Sequence, residues 1–189
     1  AFCQGVLSET HPTVQGNWIC GSESGPINST LYGEYNFYNI LAAICIGNYF
    51  KVKATDISRA IEQYESDMNR SQLLQKEGYK VYLDAYNANP SSMRLAIDNF
   101  ERSDNLEKVA ILGDMFELGE DAFSEHQRII EQLLSQKTIQ EVILVGNHFY
   151  QHLTEHGKLS FFKTTEDAKE WFQGINKKGK AFLLKGSRG

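Results

Sequence analysis

The chain has 189 residues, 41% of them hydrophobic and 23% charged, with 15 glycines, only 3 prolines and a formal net charge of −5. That balance excludes a disordered segment, a collagen-like repeat and a disulfide-stapled miniprotein, and it can fill the core of one or two compact domains. Because the basic residues are spread along an acidic chain, a nucleic-acid partner is not expected: the phosphate backbone would be repelled.

The opening AFCQG carries no charged leader or cleavage pattern, lacks Met and reads as mid-strand, and the end LLKGSRG is equally abrupt. A piece of a longer protein is therefore expected. Cys3, Cys20 and Cys45 are odd in number and have neither metal-ligand spacing nor a CxxC pair, so free thiols in a reducing compartment are expected. The longest apolar stretch, around Ile40 to Cys45, falls well short of the roughly 20 residues that span a bilayer, and no membrane insertion is expected.

Up to about Gly33, short apolar runs alternate with GNW, GSESGP and NST, which predicts strands joined by turns. From Asn36, the residues Phe37, Ile40, Leu41 and Ile44 recur at helical spacing, and a second helix with Ile57, Ile61 and Tyr64 is expected to start after a Thr55 cap. The polar run ESDMNRSQ, Glu65 to Gln72, suits a hinge between packed units. Beyond Gly78 the pattern changes to short apolar runs separated by amphipathic stretches, the signature of a parallel sheet with crossover helices. The predicted strands centre on Val81 to Leu83, Val109 to Leu112, Val142 to Val145 and Ala181 to Leu184, with a weaker one at Leu159 to Phe162. Helical stripes are Met93, Ala96, Ile97 and Phe100; then Phe123, His126, Ile130, Leu133 and Leu134; then Ala168, Trp171, Phe172 and Ile175.

In open α/β sheets, ligands bind beyond the carboxyl ends of the strands. The loops there, DAYNANPSS, GDMFELGED, GNHF and KGSRG, would gather Asp84, Asn87, Asn89, Asp114, Glu117, Lys185 and Arg188 on one rim, able to meet a small molecule charged at both ends. Asn89 followed by Pro90 is a helix start, with the Asn side chain capping free N–H groups and the proline suited to the first turn. Each of these residues alone could equally be a solvated loop residue or a cap. His126 lies on an apolar stripe, where a hydrogen-bonded core histidine is expected. His148 and His152 lack metal partners at suitable spacing, so no metal site is expected of this chain alone. Ser187 has no surrounding nucleophile elbow and reads as a hydrogen-bond donor. The sequence also contains no GxxxxGK[ST], and GSESGP lacks the lysine of a phosphate cradle.

The blocks DAYNANPSSM, LGDMFELGEDAFSEH and LLKGSRG, in this order, closely resemble the carboxyl-terminal domain of the Mur ligases, in particular the branch that joins D-alanyl-D-alanine to UDP-N-acetylmuramoyl-tripeptide. Upstream, GEYNFYNILAAICIGNYF resembles the family's GxHNxxNxLAA motif at the end of the central domain, and NRSQ resembles its inter-domain arginine segment. The resemblance covers most of residues 31 to 189. It implies an α/β fold with a Rossmann-like, mostly parallel sheet and flanking helices over 71–189, preceded over 1–70 by an incomplete α+β piece of the central ATP-binding domain that lacks the phosphate-binding loop.

For function, the resemblance implies a cytoplasmic, monomeric ligase of peptidoglycan precursor synthesis that uses ATP and Mg2+ to activate the tripeptide carboxylate for attack by the dipeptide amine; this piece alone would be inactive. Carried over by motif, Asn36 and Asn39 would lie by the adenine, and Arg70 and Asp84 at the ribose or phosphates. Asn87, Asn89, Lys185, Ser187 and Arg188 would form the dipeptide pocket, its cations facing the dipeptide carboxylate; charge matching adds Asp114 or Glu117 near its amine. Asn36 could instead cap its helix, Asn39 face solvent and Arg70 pair with Glu65 or Asp67. Tyr35 stands where the family usually has His, so a phenol replaces that imidazole. Another Mur-type ligase, a folylpolyglutamate synthase and a non-catalytic α/β binding module are the alternatives; the NANP and ELGE blocks argue against the first two, the missing Met start against the last.

Overall fold

The computed structural model describes residues 3–10, 12–66, 69–103 and 106–187. The chain divides into two compact units, Ala1–Asp67 with Ser71–Leu73, and Met68–Arg70 with Leu74–Gly189.

In the first unit, β1 (Cys3–Glu9), β2 (Gln15–Cys20) and β3 (Glu23–Asn28) form an antiparallel sheet in that order. Alternation along β2 sends Trp18 and Cys20 inward and Asn17 and Ile19 outward, as a half-buried strand requires. Helices α1 (Tyr35–Tyr49) and α2 (Ala54–Gln63) complete the unit, and Phe37, Ile40, Ile44, Ile57 and Ile61 meet Val14, Trp18, Cys20 and Ile27 in one core. The buried Trp18 keeps its indole N–H paired by donating to Ser58 Oγ at 3.1 Å.

Two expectations fail in this unit. Cys3 and Cys20 are joined in a disulfide, and among the described residues only Cys45 is a free thiol. Seventeen residues separate the two cysteines in sequence, yet the antiparallel register sets them directly opposite with Cα atoms 4.2 Å apart. The start of α2 also differs: its N-cap is Lys53, which makes no side-chain capping bond, Thr55 lies inside the helix, and Tyr64 is the C-cap, 54% exposed. The burial of Ile57 and Ile61 on one helix face, not a cap, holds that helix down.

The second unit is built on a six-stranded sheet of order β4 (Gln72–Lys76), β5 (Tyr79–Asp84), β9 (Lys180–Lys185), β6 (Glu107–Gly113), β7 (Ile139–Val145) and β8 (Leu159–Phe162). The pairings β5 with β9, β9 with β6, β6 with β7 and β7 with β8 are parallel. The apolar runs therefore mark buried strands, extended by one to three residues at their ends. β4, at the sheet edge, was not foreseen because its sequence QLLQK follows a polar run and offers only two leucines.

Crossovers are α3 (Pro90–Glu101), α4 (Ala122–Ser135), the short α5 (Asn147–Tyr150) and α6 (Thr165–Gly174). On one face of the sheet Val81, Val109, Ile143, Val145 and Phe182 pack with Ala168, Trp171 and Phe172 of α6. The alternate strand residues Tyr82, Ala110, Leu112, Val142, Leu144, Ala181 and Leu183 are equally buried, facing the other way as the pleat demands. The stripe of α3 is buried as read, whereas on α4 the buried residues are His126, Ile129, Ile130 and Leu133; Phe123 and Leu134 are exposed. Helix ends are closed by side chains. Lys108 Nζ donates to the carbonyls of Glu101 and Ser103 at the end of α3, at 2.6 and 3.0 Å, and Lys158 Nζ donates to the carbonyls of Leu133 and Gln136 at the end of α4.

Candidate functional site

Parallel pairing puts the carboxyl ends of β5, β9, β6 and β7 side by side. Asp84 is in register with Lys185, Lys185 with Leu112, and Gly113 with Val145. The loops leaving these strands are tied together. Lys185 Nζ donates to Asp84 Oδ2 at 2.6 Å and to the Asn87 carbonyl at 3.3 Å. Ser187 Oγ accepts from the Ala88 N–H at 3.1 Å and donates toward Asn87 Oδ1 at 3.2 Å, while the Ser187 N–H reaches the Asp114 carbonyl at 3.4 Å. Gly113 and Gly186 allow this approach, since a Cβ on Gly186 would lie 3.2 Å from the Gly113 Cα.

Within this rim the expected residues take distinct roles. Asn89 caps α3, accepting from the Ser92 N–H at 2.9 Å in a reciprocal capping box with Pro90 at the first helical turn. Asn87 and Glu117 are exposed. Lys185 is 3% exposed and paired with Asp84, and so braces the β5 loop. Asp114 is engaged within the fold as well. Its carboxylate is buried and accepts the backbone N–H groups of His148 and Phe149, both at 2.9 Å, satisfying orphan donors at the start of α5. This capping was not legible beforehand, because α5 is a single turn inside GNHF. Of the two candidates for an amine partner, Glu117 is the one at the surface. Arg188 lies outside the described residues.

Arg70 is held by its surroundings. The Asn69 carbonyl accepts from the Ala85 N–H at 2.8 Å, and the Arg70 guanidinium stacks on the Tyr86 ring with its carbon 3.3 Å from the centroid. Tyr86, missed as a site residue, thereby orients Arg70 beside the loop that follows Asp84. In the first unit Asn36 is 5% exposed; it donates to the Tyr32 carbonyl at 2.7 Å and accepts from Asn39 at 3.1 Å. Both ends of its amide are used internally, and the N-cap of α1 is Glu34. Asn39 is exposed. The Tyr35 hydroxyl is 2.9 Å from Ser71 Oγ, so the phenol at the usual His position is a hydrogen-bonded anchor.

His126 is the buried histidine foreseen. It is fully buried, Nε2 accepts from the Met115 N–H at 3.1 Å, and Nδ1 lies 2.6 Å from the Ala122 carbonyl. Burial pulls its pKa below the ordinary 6.5, against the raising influence of the Ala122 carbonyl and Asp114, while His148 and His152 add to the lowering. Burial likewise lowers His152. The unfolded chain thus takes up protons near pH 6.5 that the folded chain refuses until lower pH. Stability is full above that value and falls as the pH drops through it. Urea denaturation is expected to give a lower unfolding free energy at pH 5.5 than at pH 7.5, with a shallower dependence in His126→Phe; an unchanged slope would refute the assignment.

No group of three or more His, Cys, Asp or Glu among the described residues is placed to hold a metal ion, and none of their helices is long and apolar enough to cross a membrane.

Residues 69–188 match the protein family described as Mur ligase, glutamate ligase domain. The chain is 28% identical to the UDP-N-acetylmuramoyl-tripeptide--D-alanyl-D-alanine ligase of Bacillus subtilis, the match covering 95% of this chain and 43% of that protein. It is 34% identical to the ligase of the same description from Treponema pallidum over 61% of this chain and 23% of the relative. Among solved structures, MurF from Acinetobacter baumannii superposes with a TM-score of 0.83 at 26% identity, covering 96% of this chain and 41% of that one. The chain thus spans about two fifths of the length of the B. subtilis relative.

Proposed function

The chain belongs to the Mur ligase, glutamate ligase domain family, and from that premise we propose that it is the substrate-positioning part of an ATP-dependent ligase that joins D-alanyl-D-alanine to UDP-N-acetylmuramoyl-tripeptide. The observation that carries this reading is the rim itself: loops from four neighbouring strand ends, β5, β9, β6 and β7, are cross-linked into one surface by Lys185, Ser187 and Asp114. The B. subtilis relative bears this activity in its name and aligns over nearly the whole chain.

The chemistry gives such a rim its task. A carboxylate resists attack until one oxygen is made part of a leaving group, and ATP supplies the phosphoryl group for that. An amine then attacks only when unprotonated and held close to the activated carbon, so orientation carries much of the rate. In this chain Asn87, Ser187 and the Asn89-capped start of α3 offer hydrogen-bonding groups and a positive helix end toward a carboxylate, and Glu117 offers the opposite charge toward an ammonium. Arg70, stacked on Tyr86, and Asp84 are assigned to the nucleotide.

The test uses the longer ligase that carries this chain. Phosphate release from ATP is expected to require both the UDP-muramoyl tripeptide and D-alanyl-D-alanine. Release that responds instead to glutamate and a folate would overturn the proposal.

A further inference from the structure

His126 does more than fill the core, because its two ring nitrogens bond to the two ends of one rim loop. Nε2 accepts the Met115 N–H, so Nδ1 must carry the ring proton and donate it to the Ala122 carbonyl. One imidazole thus closes the stretch from Met115 to Ala122. The ring is fixed in turn: its centroid is 4.5 Å from that of Phe149, edge to face, and 5.2 Å from that of His148, stacked. Inside the closed loop, Glu117 has φ of +62° and an exposed side chain. A left-handed backbone at a residue other than Gly, Asn or Asp is uncommon, and it persists where the surrounding structure over-determines it. The clasp supplies that constraint.

We propose that His126 is a positioning residue for the incoming amine: by clasping the Met115–Ala122 loop it holds Glu117 at the rim, where the carboxylate receives the dipeptide ammonium. This rests on the ligase reading above. Asp114 cannot take the same role, since its carboxylate is committed to the amides of His148 and Phe149.

In the longer ligase, His126→Phe keeps an aromatic ring in the buried place but cannot accept from Met115. It is expected to raise the KM for D-alanyl-D-alanine about tenfold while the KM for ATP stays within about twofold. Glu117→Gln is expected to give the same split, and the double variant no more than either alone, since both remove one arrangement. His126→Gln, which restores an acceptor, is expected to recover most of the loss. Additive effects, equal rises in both KM values, or no rescue by glutamine would overturn the proposal. A ring 15N NMR spectrum of the 189-residue chain reads the clasp without any activity: a neutral Nδ1–H tautomer is expected at pH 7, and an Nε2–H or charged ring would overturn it. If the unaltered ligase releases no phosphate in response to the dipeptide, the ligase reading fails, and the NMR spectrum still decides the clasp.

Discussion

Replacing Gly146 by alanine is expected to cost at least about 3 kcal/mol of folding stability. Gly146 stands between β7 and α5 with φ 120° and ψ 168°, a region of backbone space that is essentially glycine's own. A Cβ there would lie 2.3 Å from Asp114 Cγ and Oδ2. The carboxylate cannot retreat cheaply, because it satisfies the first amides of α5, and the Gly146 N–H itself donates to the Phe162 carbonyl at 2.9 Å. Alanine therefore forces either the turn or the cap to break. Gly157→Ala is the control: nothing lies within 4 Å of its would-be Cβ, and its effect should stay within about 0.5 kcal/mol. Urea titrations of the two variants make the comparison, and equal midpoints would refute the close-packing argument.

Lys185→Met should destabilise the second unit by roughly 2–4 kcal/mol, because removing one partner of a buried ion pair leaves the other charge desolvated. The Lys185 side chain is 1% exposed and that of Asp84 14%. Adding Asp84→Asn to Lys185→Met is expected to restore part of the loss, as it removes the carboxylate charge that Lys185 balanced. The kinetic consequence follows from the same geometry. Lys185 joins a residue assigned to the nucleotide, Asp84, to one assigned to the dipeptide, Asn87, so in the longer ligase both KM values should rise together. A stable variant with only the dipeptide KM raised would mean that the ammonium faces substrate after all.

Much of the second unit was legible in the sequence because parallel strands are buried on both faces and write themselves as unbroken apolar runs. Leu159 to Phe162, the weakest of these, is a strand over those same residues. Where burial did not follow a simple period, reading was harder. Phe123 looks like a stripe residue on α4, yet Ile129 takes the inward place. Capping was legible where it is local, as at Asn89 and Ser92, and illegible where it comes from afar. Asp114 caps a helix more than thirty residues downstream, and Lys108 and Lys158 close helix ends from neighbouring strands or their approaches. The disulfide escaped notice for a similar reason, since pairing of Cys3 with Cys20 is a property of register, not spacing. Among candidate site residues, the sequence located the rim, but not which of its charges are spent on one another.

The strand that comes last in the chain, β9, occupies an interior place in the sheet, between β5 and β6. A nascent chain that has not yet delivered Lys180–Lys185 leaves the facing edges of both those strands without hydrogen-bond partners, and such open edges invite pairing with other chains. Sheet assembly must wait until β9 has been synthesised, since the contacts that seal it join segments about a hundred residues apart, as Asp84 and Lys185 do. A chain truncated just before β9 should therefore aggregate during expression, whereas loss of an edge strand would leave the central pairings intact.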